Sequence, residues 1–452
     1  MSSPPSPSPL TDAYLSPSSF VQSSRFHRTL SYKGRTISYA VAGAQPTPTP
    51  SPASTTAPSS TDAPPTLLWL NGLGSHRLAC VLFDGLFARH GVRLITIDRP
   101  GAGRSTMCPL AERVEFSVEG TLAVLEKEGV RECSIMSHSN GVIYTVALML
   151  HLARLAAAPT SPSPSSPSPP PPVRILSWFL SSPYVPPWHS SSLALLAARY
   201  VPSPLTASLG SLACLAQRVY EPFAKSAGWS AGVSGAIREL SGAWGAGVVS
   251  PGTAVEGQAA AADGAAGEGE EDDAPPLTRA EAEKQRQRFR DLNGKRPAHK
   301  RLFGGEFYGP TLFGKAMKVA MSEGKMEGMG QEALLCLRQG EGGGAWGWFG
   351  EGEEVEEAEM YERAFARLKE VWGDDPLPMS VVYGTEDGIV PTKGQEYLRA
   401  LLVDRLALVA PENWTVVDDA GHDDPLGLEC VAGPMLKGLL AVHGRGVVDG
   451  TA

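Results

Sequence analysis

The chain has 452 residues and a formal net charge of −9. This acidic balance disfavours general binding to nucleic acids, whose phosphates repel a negative surface. The six cysteines stand apart with no Cys-x-x-Cys spacing, which predicts reduced thiols in a cytoplasmic protein and disfavours a disulfide framework or a cysteine zinc site. No apolar run reaches the roughly 18 residues that a membrane span requires, so we expect no span.

Low-complexity tracts make the folded part of the chain shorter than its full length. Residues 1–24 are rich in Ser and Pro and predict a disordered tail. They lack the apolar core of a secretory signal, while a transit peptide stays open. Two further tracts, 45–65 and 159–172, cannot build a core and predict surface insertions. Residues 243–276 are Gly- and Ala-rich and then acidic, which predicts another disordered stretch.

The first folded part alternates between short apolar runs and helical patterns. Two alternating segments around Tyr32-Lys33-Gly34-Arg35 predict a hairpin. Buried strands then alternate with helices; we predict strands at 67–70, 92–97, 133–136 and 173–181, and helices at 79–90, 114–128 and 142–155. This alternation implies a parallel sheet that is covered by helices on both faces.

From residue 188 the pattern changes to amphipathic helical segments, at 191–200, 211–220, from Thr278 to Arg290 and at 355–371. Thr278 and Glu281 have the spacing of a capping box, which predicts a helix start. The alternation then returns, with strands at 379–383 and 414–417, a helix at 392–402 and a last helix at 428–442 that Pro434 could break. We therefore predict one discontinuous α/β core, 25–187 plus 376–445, with a helical cap at 188–375.

One short stretch, Ser137-His138-Ser139-Asn140-Gly141, joins an apolar strand to the long apolar helix that follows it. Small residues two positions before and after Ser139 permit a sharp strand-to-helix turn, which presents a hydroxyl at the helix N-terminus beside backbone N–H groups. The alternative is a simple helix N-cap. A catalytic role requires a base for the serine and an acid to orient that base.

Candidates for both groups follow the late strands. Asp387 comes just after the strand at 379–383, and His422 just after the strand at 414–417. Three rival acids lie nearby, Glu386, Asp423 and Asp424. His138 is interpreted as a packing or pocket-wall residue, and Asp98 as a loop anchor. The turn from Gly101 to Thr106 lacks the third glycine of a dinucleotide-binding loop, so it predicts no such cofactor.

Together these stretches resemble the α/β-hydrolase family, with the stretch around Ser139 as its nucleophile elbow and the loops of Asp387 and His422 as its acid and histidine loops. The resemblance implies a mostly parallel sheet with helices on both faces and a helical cap. It assigns a catalytic triad to Ser139, Asp387 and His422. It also assigns the oxyanion hole to the backbone N–H groups of Leu73 and Asn140.

The chain departs from the family pattern at two positions. Ser137 stands where glycine is usual in the elbow. The loop after the strand at 67–70 reads Asn71-Gly72, where His-Gly is often found. The oxyanion donor in that loop is a backbone group, so the second change alters the anchoring of the loop without removing the donor.

The resulting hypothesis is a serine hydrolase that cleaves an ester, thioester or amide through an acyl-serine intermediate, without a cofactor or metal. The cap would choose the substrate, and its Trp and Phe residues suggest a small-molecule acyl substrate with an apolar acyl or aromatic group. Acyl transfer and carbon–carbon bond cleavage use the same triad and stay open, as does a catalytically silent receptor or scaffold. A serine nucleophile disfavours the epoxide hydrolase and dehalogenase branches. The oligomeric state, the physiological substrate and the role of the basic segment 279–301 also stay open.

Overall fold

The computed structural model describes residues 16–45, 63–157, 173–209, 278–281, 283–284, 287, 311–323, 327–341, 344, 346–350, 353–373 and 376–444. Most of the predicted insertions at 45–65 and 159–172, the stretch 243–276 and the predicted helix at 211–220 lie outside these residues. None of the described helices is both long and apolar enough to cross a membrane.

A hairpin begins the sheet. Strands β1 (Arg28–Tyr32) and β2 (Arg35–Gly43) pair antiparallel. Lys33 and Gly34 connect them, and both have a positive φ, 48° and 73°. Such a two-residue turn follows the right-handed twist of the strands that it joins. The predicted hairpin is therefore confirmed.

The other strands are parallel to one another: β3 (Thr66–Leu70), β4 (Arg93–Ile97), β5 (Glu132–His138), β6 (Arg174–Ser181), β7 (Met379–Gly384) and β8 (Trp414–Val417). The sheet has the order β1-β2-β4-β3-β5-β6-β7-β8. Strand β2 joins the hairpin to β4 in an antiparallel pairing. The predicted fold class, a mostly parallel α/β sheet, is confirmed.

The described α-helices, in chain order, are α1 (Pro17–Val21), α2 (Asp84–Arg89), α3 (Arg113–Lys127), α4 (Gly141–Ala157), α5 (Pro187–Ser190), α6 (Leu193–Ala198), α7 (Ser203–Ala207), α8 (Thr311–Ser322), α9 (Glu327–Leu337), α10 (Met360–Trp372), α11 (Thr392–Arg399) and α12 (Glu429–Val442). A 3₁₀ segment, Arg77–Phe83, precedes α2, and a π-helical turn, Ala400–Arg405, continues α11. Helix α12 runs through Pro434 without a break.

Two apolar cores lie on the two faces of the sheet. Because side chains alternate along a strand, Leu68 and Leu70 of β3 enter one core, and Leu67 and Trp69 enter the other. Helices α3, α4, α10 and α11 contribute to the first core. Helices α2, α8 and α12 contribute to the second. Each strand at the centre of the sheet is therefore buried on both faces.

The predicted disordered tail is wrong for its last part. Helix α1 begins at Pro17, and Val21 and Phe26 are completely buried. Arg25 lies over the rings of Phe20 and Phe26 and donates to Asp84 at 2.6 Å. The few apolar residues after Ser16 are enough to bind this segment to the core, although the composition of residues 1–24 as a whole is typical of disorder.

The predicted cap boundary at residue 375 is also wrong at its C-terminal end. Helix α10 packs on α4 and on the sheet, where Phe365 stacks on Trp178 of β6 with ring centroids 6.0 Å apart. The second part of the core therefore begins no later than Met360. The rest of the division into core and cap stays a prediction. Thr278 and Glu281 do form the predicted capping box, with reciprocal hydrogen bonds of 2.8 and 3.3 Å.

The packing of α10 gives a stability test. We expect Phe365→Ala to lower the free energy of unfolding by about 3–5 kcal/mol, because it leaves a cavity against Trp178. Val371→Ala, at an exposed position of the same helix, serves as the control and should change it by less than about 0.5 kcal/mol. Urea unfolding of the full chain measures both. Equal stability of the two variants would contradict the placement of α10 in the core.

Candidate active site

The predicted site residues follow strands that are close neighbours in the sheet. The loop 71–74 follows β3, Ser139 follows β5, Asp387 lies just past β7 and His422 lies past β8. Because these strands are parallel, their carboxyl ends lie along one edge, where the loops of α/β sheets form binding sites. Residues that are far apart in sequence are thereby brought to one edge of the sheet.

The turn at Ser139 has the conformation of a strained elbow. Ser139 is a non-glycine residue with φ 50°, between the end of β5 and the start of α4. Gly141 is required by close approach, since a Cβ there would lie 2.2 Å from the carbonyl oxygen of Leu70. Ser137 fits in place of the usual glycine because its buried hydroxyl accepts a hydrogen bond of 2.8 Å from Trp178 Nε1.

Asp387 is buried and pairs with the imidazole of His422, which is largely buried as well. The Nδ1 atom of His422 lies 2.9 and 2.8 Å from the two carboxylate oxygens of Asp387. The backbone N–H groups of Ile389 and Val390 also donate to this carboxylate. The side chain of Glu386 is exposed instead. Among the rival acids, the geometry therefore favours Asp387 as the partner of His422.

The end of β6 connects the elbow to the histidine loop. The backbone N–H of Ser139 donates to the carbonyl of Ser181, and the hydroxyl of Ser182 donates to the carbonyl of His422 at 2.7 Å. The Ser139 hydroxyl and His422 Nε2 are not hydrogen-bonded in this structure; the Nε2 atom is buried and has no partner in the described part of the chain. Catalytic hydrogen bonds are commonly longer before substrate binds.

Two opposing effects act on the imidazole of His422. Burial by itself lowers its pKa, but the charge and the hydrogen bond of Asp387 raise it by more. The pKa of His422 is therefore raised from the usual value of a histidine. Since Nδ1 faces a carboxylate, the neutral ring carries its proton on Nδ1 and directs the lone pair of Nε2 away from Asp387.

The predicted oxyanion donors lie beside the elbow. Gly72 approaches Ser139 so closely that a Cβ at residue 72 would lie 3.2 Å from the Ser139 Cβ. Neither the N–H of Leu73 nor that of Asn140 donates to an acceptor within the described residues. Two N–H groups near a serine hydroxyl are the usual components of an oxyanion hole.

Arg99 supports the loop after β3 from behind. Its guanidinium donates to the carbonyl oxygens of Asn71 and Gly72, both at 2.5 Å. It also stacks over the ring of Tyr144, 4.7 Å from the centroid. The backbone carbonyls of this loop are thus anchored by an arginine side chain.

A buried carboxylate from α9 completes this support, and sequence reasoning missed it. Glu332 lies 2.6 Å from Arg99 and 2.8 Å from Arg113. It also accepts hydrogen bonds from the side chains of Asn140 at 3.0 Å and Tyr144 at 2.8 Å. No sequence pattern pairs these residues, because their elements come together only in the tertiary structure. The helix α9 is thereby connected directly to the residue after Ser139.

A second charged cluster lies at the N-terminal side of α2. Asp98 and Glu323 both bind Arg77 at 2.6 Å, and His76 lies 3.1 Å from Glu323. These groups have the spacing of a metal site, but Arg77 already neutralises the carboxylates, so the cluster does not fit a cation. Asp98 also accepts from Ser38, which confirms its interpretation as a loop anchor.

His138, interpreted from sequence as a packing residue, is buried and makes two polar contacts. Its Nδ1 lies 3.1 Å from the carbonyl oxygen of Ser181, and its Nε2 lies 2.9 Å from the carboxylate of Asp423. The ring centroids of His138 and His422 are 5.2 Å apart. Asp423, one of the rival acids, therefore binds the histidine of the elbow.

The aromatic residues that suggested an apolar substrate are used in packing. Trp346 and Trp348 are almost completely buried and contact each other and Tyr361 edge to face. Their indole N–H groups donate to the carbonyls of Leu335 and Ile143. Two small pockets flank Arg99, and none of the predicted site residues lines either. The apolar substrate therefore stays a prediction.

The strand order and the turns at the sheet edge define the class of this protein. The α/β-hydrolase fold has a mostly parallel eight-stranded sheet with this order, and here Ser139 follows β5, Asp387 follows β7 and His422 follows β8. The chain has the α/β-hydrolase fold, as the sequence resemblance implied.

The chain is remotely similar to several solved structures. No protein-family model and no curated protein matches the chain. A carboxylesterase structure from the thaumarchaeon Nitrososphaera gargenis is 12% identical, with 92% of this chain and 99% of that one covered and a TM-score of 0.39. An epoxide hydrolase from Vigna radiata is 11% identical, with coverages of 92% and 96% and a TM-score of 0.42. A hydrolase from Pseudomonas aeruginosa PA01 is 14% identical, with coverages of 93% and 98% and a TM-score of 0.42.

The Glu332 cluster predicts a pH-dependent contribution to stability. Burial by itself raises the pKa of Glu332, but Arg99 and Arg113 outweigh it and lower the pKa to about 2. The stabilisation is therefore present above the ordinary glutamate pKa and is lost as the pH falls towards 2. We expect Glu332→Gln to lower the free energy of unfolding by about 3 kcal/mol at pH 7, and by less at pH 3, as measured by urea unfolding.

The matched control is Glu132→Gln, which removes an exposed ion pair with Arg174. This change should lower the free energy of unfolding by less than about 1 kcal/mol at either pH. A loss at Glu332→Gln that equals the control at pH 7 would contradict the stabilising role of the cluster.

Proposed function

We propose that the protein is a serine hydrolase, which cleaves a carboxylic ester, thioester or amide through an acyl-serine intermediate. The observation that carries this proposal is the buried contact between His422 Nδ1 and Asp387, which leaves Nε2 without a partner at the edge of the sheet where Ser139 forms a strained elbow. Acyl transfer requires a base with a free lone pair, an acid that orients the base and a nucleophilic hydroxyl.

In this mechanism His422 Nε2 takes the proton of the Ser139 hydroxyl as the oxygen attacks the carbonyl carbon of the substrate. Asp387 holds the proton on Nδ1 and stabilises the imidazolium that forms. The imidazolium then donates its Nε2 proton to the leaving alcohol, thiol or amine. Water then enters and gives a proton to His422 Nε2 as its oxygen attacks the acyl carbon. As the acyl–oxygen bond to Ser139 breaks and the acid leaves, His422 returns that proton to the Ser139 oxygen, which restores the hydroxyl and the neutral imidazole.

The oxyanion that forms in each half of the reaction would accept hydrogen bonds from the N–H groups of Leu73 and Asn140. Both N–H groups lack an acceptor within the described residues, and so they need no rearrangement before they donate. Arg99 and Glu332 hold the two segments from behind. Preorganised donors of this kind are typically worth 10²–10³ in kcat for each donor.

The same groups can transfer an acyl group to an acceptor other than water or cleave a carbon–carbon bond. The geometry of the triad is common to all three reactions, so hydrolysis is the simplest form of the proposal. The acyl substrate stays unspecified, because the described cavities are not lined by Ser139 and the aromatic residues of the predicted cap pack internally.

The nucleophile can be tested without a known substrate. A fluorophosphonate probe should label the wild-type chain once, on Ser139, because the probe needs only an activated serine hydroxyl. Labelling should disappear in Ser139→Ala. It should persist in the control Ser137→Ala, because the hydroxyl that this change removes only accepts a hydrogen bond from Trp178. Mass spectrometry of the labelled peptide measures the site. Labelling of Ser139→Ala, or no labelling of the wild type, would remove the proposal.

The acid and base can be tested by a pH profile of ester hydrolysis. Only neutral His422 can accept a proton, and Asp387 raises the pKa of His422 from 6.5. The activity kcat/KM should therefore fall as the pH decreases through a value above 6.5. Asp387→Asn should lower kcat by about 10³–10⁴-fold and move the remaining acid limb to lower pH.

The neighbouring Glu386→Gln is the matched control, since the side chain of Glu386 is exposed. It should keep both the rate and the pH profile of the wild type. A larger loss in Glu386→Gln than in Asp387→Asn would show that the acid has been assigned to the wrong residue.

A further inference from the structure

Three groups at the edge of the sheet form a cluster that acyl transfer does not fully use. They are the imidazoles of His138 and His422 and the carboxylate of Asp423. One ligand atom from each lies within 4.8 Å of the other two. His138 and Asp423 have no role in the proposed hydrolysis, although they lie beside His422.

The polar contacts of His138 require a second proton on its ring or a bound metal ion. Its Nδ1 lies 3.1 Å from the carbonyl oxygen of Ser181, which can only accept, so Nδ1 carries a proton. In the neutral ring, Nε2 then has a lone pair, and it faces the carboxylate of Asp423 at 2.9 Å. Two acceptors thus face each other unless a second proton or a metal ion lies between them.

His422, like His138, has its Nδ1 atom beside an oxygen acceptor. Its Nδ1 donates to Asp387, and its buried Nε2 has no hydrogen-bond partner within the described residues. Histidines that bind metals usually donate the other ring N–H to a carboxylate or a backbone carbonyl, which fixes the tautomer and directs the lone pair at the metal. Asp387 has this role for His422, and the carbonyl of Ser181 has it for His138.

The distances fit a small cation after a modest side-chain adjustment. In a tetrahedral zinc site with bonds of about 2.0–2.1 Å, neighbouring ligand atoms lie roughly 3.3 Å apart. The atoms of His138 and Asp423 are already 2.9 Å apart. The side chain of Asp423 is 78% exposed. Two imidazoles and one carboxylate are a donor set that Zn²⁺ prefers.

We propose that His138, His422 and Asp423 bind one divalent transition metal ion, Zn²⁺ foremost, and that the bound ion inhibits the enzyme. The metal takes the lone pair of His422 Nε2 that would otherwise accept the proton of Ser139. A proton on His138 Nε2, where present, passes to solvent as the metal binds. The inhibitory part of this inference rests on the proposed hydrolase function, whereas the metal site itself does not.

Zinc binding to the full chain tests the site directly. Competition with a chromophoric zinc indicator should show one tight Zn²⁺ per wild-type chain. Loss of a second-shell partner costs about 10–100-fold in metal affinity, so Asp423→Asn and His138→Gln, which each remove a ligand, should weaken binding by at least tenfold. His90→Gln, outside the cluster, should bind as the wild type does. Equal binding by all four chains would overturn the metal site.

Labelling by the fluorophosphonate probe tests the inhibition without a known substrate. Zn²⁺ should block labelling of the wild type at the concentration that fills the site, and should not block labelling of Asp423→Asn at that concentration. The labelling rate of each chain with Zn²⁺ is compared with the rate of the same chain without metal, so a change in the basal rate of Asp423→Asn does not enter the comparison. Labelling that Zn²⁺ leaves unchanged in the wild type would overturn the inhibition.

The inactive Ser139→Ala variant separates the two proposals. It should bind Zn²⁺ as tightly as the wild type, because Ser139 is not a ligand, and it should not be labelled. A wild-type chain that binds Zn²⁺ but is never labelled would overturn the hydrolase function and the inhibitory role together, while it would support the metal site.

Discussion

Asp387 and His422 are 35 positions apart in the chain, and their contact depends on how closely two loops approach each other. Strands β7 and β8 are paired, and beyond them a Cβ at Gly384 would lie only 2.0 Å from the carbonyl oxygen of Ala420. The N–H of Glu386 donates to that same carbonyl. A side chain at residue 384 would separate the loops and break the contact. The orientation of the His422 imidazole, its tautomer and its raised pKa all depend on this close approach.

A second constraint comes from charges that are buried behind the elbow. Glu332 has two arginines, an amide and a phenol as partners, and through them α9 contacts the loop after β3 and the residue after Ser139. Breaking a buried ion pair leaves an uncompensated charge, which costs far more than the loss of an exposed pair. The segment between β6 and β7 is therefore part of the support of the site, in addition to any role in covering it.

The sequence was sufficient to predict features that depend on a few neighbouring residues. The small residues around Ser139 predicted the elbow, and the strand-to-loop positions of Asp387 and His422 predicted their place at one edge of the sheet. It was insufficient for Glu332, since a glutamate on an amphipathic helix has no feature that distinguishes a buried ion pair from a solvated face. It also misplaced the start of the second core segment, because the periodicity of α10 is the same whether the helix packs on a cap or on β6.

The amino-acid sequence by itself determined the α/β class, the order of the strands along the chain and the residue types at the candidate site, because periodicity, turn residues and small-residue spacing act over a few neighbouring positions. Only the tertiary structure decided that Asp387 rather than Glu386 faces His422, that Arg99 and Glu332 meet behind Asn140, and that His138 and Asp423 lie beside the base. These pairings join segments that are distant in the chain. They form only when the sheet and the helices pack together and bury their apolar faces.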